Sequence, residues 1–499
     1  MHALTVALPD ARTQVRWAGR FVLVAALAVA LGGLPLWVSG AALLGACLVV
    51  LTFASVEFGL ALLLFAVPFG GARTLSAGVF NVSATEFVVP LLLAAWAVRF
   101  LASRRDKLRL TALFVPLALF LAVMLLSTSF AVSQGLAVKE LLKWLELAAV
   151  MLVVINHVRT TRQLEFIYWA AVLAAALQAL YGLYQYVAQA GPGGFFLSGQ
   201  LRPYGTFNQP NPFGGYLAFV GALALGPLIA WRRRGEPWLG PRLLPLCAAL
   251  AVIYGAVLLS FSRGAWLAAI ASMLAMLLAR SRRSLLYLAS VALLAALLWG
   301  VGALSFMPQS VVGRASGVSS YLRVFDVRKV KVTPENWAIV ERMANWQAAW
   351  TMFNDRPVVG VGIGNFGAAY PDYAPGRWVN LTGHAHNYYL NVLAETGLPG
   401  LMAYLALLTA VLIYTGRVLF LARSHPGVRE GPISQYGLAL GVFGAMVALS
   451  AQNLVDSLYV HSMTALVGLV LGLAVVLMQN VSGERRRTGE GQEAGAGAA

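Results

Sequence analysis

Apolar stretches of 15 to 25 residues, bounded by charged or turn residues, recur along almost the whole chain. A helix needs about 20 apolar residues to cross the ~30 Å hydrocarbon core of a bilayer, and only a segment that satisfies its own backbone hydrogen bonds is stable there. Repeated this often, the pattern excludes a soluble domain, and a composition of 60% hydrophobic and 11% charged residues agrees. Spans are expected near 20–32, 36–53, 54–69, 84–101, 110–127, 138–156, 164–188, 211–230, 243–260, 265–280, 284–304, 398–421, 434–451 and 463–479. The first three crowd together, so the expectation is an all-α polytopic membrane protein of 12–14 transmembrane helices.

A formal net charge of +17 would suggest nucleic acid in a soluble protein. In a polytopic one it first sets orientation, because short cytoplasmic loops retain Lys and Arg. With the N-terminus inside, the inner segments hold 23 of the 36 basic residues, among them the Arg99–Arg109 cluster and the arginine triplets at 232–234 and 485–487. Eight others fall in one long outer segment, 305–385, and long segments are largely exempt from the rule. The charge is therefore topological, no nucleic-acid partner is expected, and both termini belong in the cytoplasm. The basic N-terminal stretch and its apolar run read as an uncleaved first span. The resulting plan is transmembrane helices over 1–304, an outer cap over 305–385, C-terminal transmembrane helices over 386–480 and an unstructured polar tail over 481–499. Cys47 and Cys247 both lie inside apolar runs, which rules out a disulfide framework or a cysteine-rich metal site.

On this topology the polar clusters that solvation does not explain fall on the outer face. They are QLRPYGTFNQPNPFGG at 200–215, LSFSRGAW at 259–266, the 305–385 segment, and GHAHNYYLNVLAETGLPG at 383–400. Arg202 sits in a loop rich in Gly, Pro and Asn that enters a span, where free backbone N–H groups can meet an anion. An interfacial arginine snorkelling to the headgroups would give the same pattern. Arg263 lies in a connection too short to be a solvated loop, and a cation at that depth is kept there by a partner. Two guanidinium groups from different outer turns suit a diphosphate, because each donates bidentate, charge-assisted hydrogen bonds.

The 305–385 segment is too long for a plain connection and predicts a small helical cap. Its main helix is expected from Thr333 as N-cap, with Pro334 at the first position, to Asn354. Ile339, Met343, Trp346, Trp350 and Phe353 share one face of it, expected to pack on the membrane domain. The alternating glycines of VGVGIGNF at 359–366 read as a tight outer turn, since no strand-to-helix context supports a dinucleotide fingerprint.

His384 and His386 flank Ala385. An H-x-H pair can chelate zinc, but a catalytic site needs a third ligand and no further Cys or His lies nearby in sequence, so no metal is expected. A neutral imidazole is well suited to taking a proton from a hydroxyl near pH 7. A bland alternative is that the pair merely caps the next helix, on which Asn387 and Glu395 would fall two turns apart on roughly one side.

Those residues carry a resemblance. The stretch is similar to the bacterial O-antigen ligase and O-antigen polymerase superfamily, whose ligase signature is His, then Asn, Ser or Gln, nine residues, and Gly-x-x-Gly. Here His386 and Asn387 are followed by nine residues and by Gly397 and Gly400, with RPYGTFNQPN, SRG and DRPVVGVGIGNF as supporting matches. The resemblance covers roughly 130–480 and implies an inverting, metal-independent glycosyltransferase of the GT-C type without a cofactor. Its donor would be a glycan on undecaprenyl pyrophosphate, presented on the periplasmic side of the inner membrane, and its acceptor a hydroxyl of lipid A core or a similar glycolipid. By motif, His386 becomes the candidate base and Arg202 and Arg263 the pyrophosphate grips, with His384, Asn387, Asn208, Tyr204 and Glu395 as further substrate contacts. Leu401 stands where ligases often carry Thr or Ser, which leaves ligase and polymerase both open. A transporter, the reading from another class, would place its polar groups near the bilayer midplane in repeat-related helices, whereas here they cluster at one face and no repeat occurs.

Overall fold

The computed structural model describes residues 35–72, 75–77, 80–103, 107–197, 199–231, 243–281, 286, 290, 325–333, 336–379, 383–424 and 433–496. Two expected spans, 20–32 and, but for 286 and 290, 284–304, lie outside the described residues. Each of the other twelve corresponds to a helix. They are α1 (Leu36–Ala54), α2 (Val56–Phe69), α3 (Ala84–Ala102), α4 (Phe114–Thr128), α5 (Gln134–His157) and α6 (Thr161–Ala188). After these come α7 (Pro210–Ala230), α8 (Leu243–Leu259), α9 (Arg263–Arg280), α12 (Tyr388–Ser424), α13 (Gln435–Gln452) and α14 (Met463–Ala496). Between α9 and α12 the cap contributes α10 (Trp337–Asp355) and α11 (Phe366–Tyr373). Six of the bundle helices are long and apolar enough to cross a membrane, and four more are apolar and shorter. The chain is thus an all-α polytopic membrane protein, with two small additions the sequence did not suggest: the antiparallel pairs Leu75–Ala77 with Phe80–Val82 and Phe196–Leu197 with Gln200–Leu201.

In lipid, helices gain nothing from hiding apolar side chains from one another, so they associate where small residues let backbones approach. The crossing of α7 and α13 is of this kind: a Cβ on Gly226 would stand 2.2 Å from the Gly441 nitrogen. At one end of the bundle the loops are basic or amide-rich. Arg109 donates to Gln479 and its N–H to Asn156, Glu57 takes His157 at 3.0 Å, and Arg99 reaches the Phe53 carbonyl. The described parts of the four polar clusters lie at the opposite end.

Three local expectations change. The cap helix is described from Trp337; Pro334 lies outside the described residues, while Thr333 Oγ1 accepts the Asn336 N–H and Asn336 Oδ1 the Thr333 N–H, the reciprocal bonds of a capping box with Thr333 as N-cap. Its buried face is Val340, Met343, Ala344, Ala348 and Met352, whereas Trp350 of the expected aromatic stripe is 53% exposed. Small side chains bring α10 close to α12, which a stripe of tryptophans would prevent. The last helix continues to Ala496 through the tail read as unstructured, since Glu, Arg, Gln and Ala are good helix formers and extending a helix needs no new nucleus.

The third change bears on the site. The helix expected from 398 starts at Tyr388 and breaks at Gly397, whose backbone (φ 67°, ψ −168°) is not helical. A Cβ there would lie 2.5 Å from the Pro357 carbonyl, and the left-handed region itself disfavours any other residue. The same contact holds the glycine turn. Gly360, Gly362 and Gly364 all have positive φ and abut Glu395, Ala131 and Leu136 respectively, while Ser127 Oγ binds the carbonyls of Val359 and Glu395. Gly397→Ala is therefore expected to destabilise the protein by about 2 kcal/mol or more, combining left-handed strain with overpacking, read as a lower midpoint in a detergent melting curve.

Candidate functional site

Four turns meet at this second end of the bundle. The loop bearing Arg202 is held from below by Gln185, whose Oε1 accepts the N–H groups of Tyr204 and Gly205. Arg202 donates through Nε to the Ser260 carbonyl at 3.0 Å and through Nη2 to Asn211 Oδ1 at 2.9 Å, so it is fastened to the turn before α9. Ser262 caps α9 by accepting the Ala265 N–H, and this places Arg263 at the first helical position, half-buried. Gly264 then packs on Gln452 and Val455, where α13 ends.

The turn after α13 carries Asp456, 5% exposed. Its position is fixed by Asn453, which accepts the Leu458 N–H through its side chain and the Tyr388 N–H through its carbonyl. That second bond draws the start of α12 onto the same turn. His386 Nδ1 lies 3.2 Å from Asp456 Oδ1, His384 Nε2 lies 3.7 Å from it, and Arg342 of the cap helix approaches Oδ2 at 3.9 Å. One carboxylate thus gathers both histidines and an arginine from two other elements.

Each imidazole has an assigned role by its hydrogen bonds. His384 Nδ1 accepts the His386 N–H at 3.1 Å, which leaves its proton on Nε2, toward Asp456. Burial, and the neighbouring charges of His386 and Arg342, hold the pKa of His384 down to about 4 against the pull of Asp456. The carboxyl of Asp456 is held well below its ordinary value by the hydrogen bond and charge of His386 and the charges of His384 and Arg342, which outweigh its burial. A proton on His386 Nδ1 donates to Asp456, so Nε2 is the nitrogen with a lone pair to offer. His386 also has φ of 49°, uncommon for a residue with a Cβ.

The sequence-derived candidates divide accordingly. Arg202, Arg263, His384 and His386 come to adjoining turns. Asn387 Oδ1 accepts the Leu390 N–H and so caps the first half of α12. Glu395 is buried and accepts the Phe366 N–H at 2.9 Å, bracing the glycine turn rather than facing the histidines. Tyr204 packs on Phe195 with ring centroids 5.1 Å apart, and Asn208, at φ 56°, reaches the Gly71 carbonyl. Sequence reasoning missed Asp456 and Arg342. Asp456 carried a signal, a lone acid in the apolar stretch SAQNLVDSLYV. Arg342 carried none, because a charge on a cap helix is ordinary.

The metal expectation rested on the lack of a third ligand, and that premise fails: His384, His386 and Asp456 offer ligand atoms within 4.8 Å of one another. Sequence distance hid the third member. Against a cation stands the Arg342 guanidinium, already beside the same carboxylate.

The fold is thus a bundle of membrane helices with a polar cluster under a helical cap at one end. Residues 246–405, about a third of the chain, match the family described as O-Antigen ligase, in agreement with the resemblance carried by the sequence motifs. That family points to a glycosyl-transferring enzyme with lipid-linked glycan substrates. A search of curated proteins gives no significant match.

The pKa of His384 has a consequence for stability. The unfolded chain protonates this histidine below about 6.5, the folded chain only near 4, so between those values the unfolded state holds more protons and stability falls as pH is lowered. His384→Gln is expected to lose less stability than the wild type between pH 6.5 and pH 4, as read from melting midpoints across that range.

Proposed function

We propose that the protein transfers a glycan from undecaprenyl pyrophosphate to an acceptor hydroxyl at the periplasmic face of the inner membrane, with both termini in the cytoplasm. The observation that carries this reading is the junction of the two arginine-bearing turns with the Asp456-held histidine pair at one end of the bundle. His386 acts as general base through Nε2. It takes the acceptor proton as the hydroxyl oxygen attacks the anomeric carbon from the face opposite the leaving group, so the configuration inverts. The bond from that carbon to the pyrophosphate oxygen breaks, and the electron pair leaves with the lipid pyrophosphate. Arg202 and Arg263 hold the growing charge, and Asp456 orients the base and stabilises the imidazolium.

A lipid pyrophosphate is already a good leaving group, so positioning, charge stabilisation and one base suffice without metal. A wholly apolar crevice lined by Leu119, Val123, Met402, Ala406, Phe353 and Val358, between α4 and α12 under the cap, suits a lipid chain. Transfer to lipid A core, as a ligase, is favoured by the complete His386–Gly400 signature. Leu401 favours the second reading, a polymerase that joins lipid-linked repeats.

His386→Ala should lower turnover by about 10² to 10⁴, the range of positioned proton transfer, while the lipid-linked donor still binds. Arg202→Ala and Arg263→Ala should weaken donor binding as well as turnover, with only partial rescue by Lys, which lacks the bidentate fork. Donor binding and single-turnover transfer on the same purified variants decide this. Loss of donor binding in His386→Ala with normal binding in both arginine variants would overturn the roles. Activity is expected to survive EDTA undiminished, and a loss that zinc or magnesium restores would assign His384, His386 and Asp456 to a metal instead.

A further inference from the structure

Glu140, Lys143 and Glu146 follow one another at three-residue spacing on α5, so they lie along one side of a helix packed within the bundle against α3, α4 and α14. Ionisable side chains at that depth face a water-filled recess or one another. Lys143 Nζ pairs with Glu140 Oε2 at 2.6 Å, yet their side chains retain 29% and 16% exposure, so the pair opens on a recess. Glu146 is half-buried and has no hydrogen bond or ion pair among the described residues. Its charged neighbours are Glu86 and Lys143.

The recess belongs to the capped end. Glu86 opens α3 by accepting the Ser83 N–H, and Ser83 Oγ stands 3.4 Å from Ser462 Oγ. Next to Ser462, the His461 ring meets the edge of Phe207 in the Arg202 loop, with centroids 5.6 Å apart. One residue on from Lys143, Trp144 packs on Tyr459 with centroids 5.0 Å apart, and Tyr459 packs at 4.6 Å on Tyr388, two residues beyond His386. The α5 wall therefore borders the turn that carries the histidine pair. Its charge is opposite to that of the arginine turns: Glu86, Glu140 and Glu146 stand against the single ammonium of Lys143.

We propose that Glu140, Lys143 and Glu146 form a sugar subsite, in which the carboxylates accept hydrogen bonds from pyranose hydroxyls and the ammonium donates one, beside the reacting bond. The inference rests on the glycan-transfer reading above. An excess of carboxylate repels a pyrophosphate, which goes to the arginines, whereas it suits neutral hydroxyls, each of which can donate a charge-assisted hydrogen bond. The ring held there comes either from the donor glycan or from the acceptor, and the chemistry is the same.

The test uses the full chain in nanodiscs with two probes, bare undecaprenyl pyrophosphate and the lipid-linked glycan extracted from the source cells. Glu146→Gln and Lys143→Gln should bind the bare lipid as the wild type does. If the ring is the donor's, they should bind the glycan-bearing lipid about tenfold or more weakly, the effect of losing a hydrogen bond to a charged group. If it is the acceptor's, donor binding stays unchanged and the acceptor KM rises by a similar factor at unaltered kcat. Glu146→Gln breaks no ion pair, so it reports even if Lys143→Gln fails to fold. Equal weakening toward both lipids, or a lowered melting midpoint with unchanged affinity and KM, would overturn the subsite. A wild type that binds neither lipid would overturn the functional reading itself.

Discussion

The carboxylate of Asp456 is the point on which the capped end of the molecule depends. A buried charge is tolerated only when paired and hydrogen-bonded, and Asp456 meets that condition by taking His386, His384 and Arg342 from two different elements. Removing a partner from such a group leaves a stranded charge, which typically costs about 3–5 kcal/mol. The three contacts therefore fix where α12 begins, how the α13–α14 turn is folded and where the cap helix rests. Chemistry and architecture use the same carboxylate.

A second constraint is steric and acts beneath the first. The glycine turn at 359–366 fits between α4, α5 and the first half of α12 because none of its three left-handed glycines carries a Cβ. The break at Gly397 lets the short helix 388–396 turn away from the membrane-crossing half of α12, which sets the histidines above the bundle. The Gly-x-x-Gly part of the signature is thereby explained without any contact to substrate: Gly397 passes under Pro357, and a Cβ on Gly400 would strike Thr396.

Helices and their ends were legible because the hydropathy pattern responds to the bilayer, a constraint that acts on each segment separately. Arg202, Arg263 and the histidine pair were legible because polar residues at apolar boundaries are costly and so conspicuous. Asp456 stood out by the same logic but had no visible partner, since its contact with His386 joins residues seventy apart in sequence. The face of the cap helix was misread because aromatic residues dominate a hydrophobic pattern, while the close approach of α10 to α12 selects alanine. Glu395 looked like a ligand-facing acid and proved to brace a turn, a distinction that depends on the break at Gly397 rather than on helical spacing.

The described residues with left-handed backbone and a side chain are Gln189, Asn208, Phe261, His386, His461 and Ser462, and apart from the helix-capping Gln189 they lie in the turns that build the capped end. Glycine would relax each backbone, by about 1–3 kcal/mol. At His386 it would also take from the buried Asp456 carboxylate its nearest partner, a loss of about 3–5 kcal/mol that exceeds the relief. Strain and the bond that offsets it thus reside in one residue, and the imidazole is held in its aim by the same contact that keeps its backbone in an uncommon conformation.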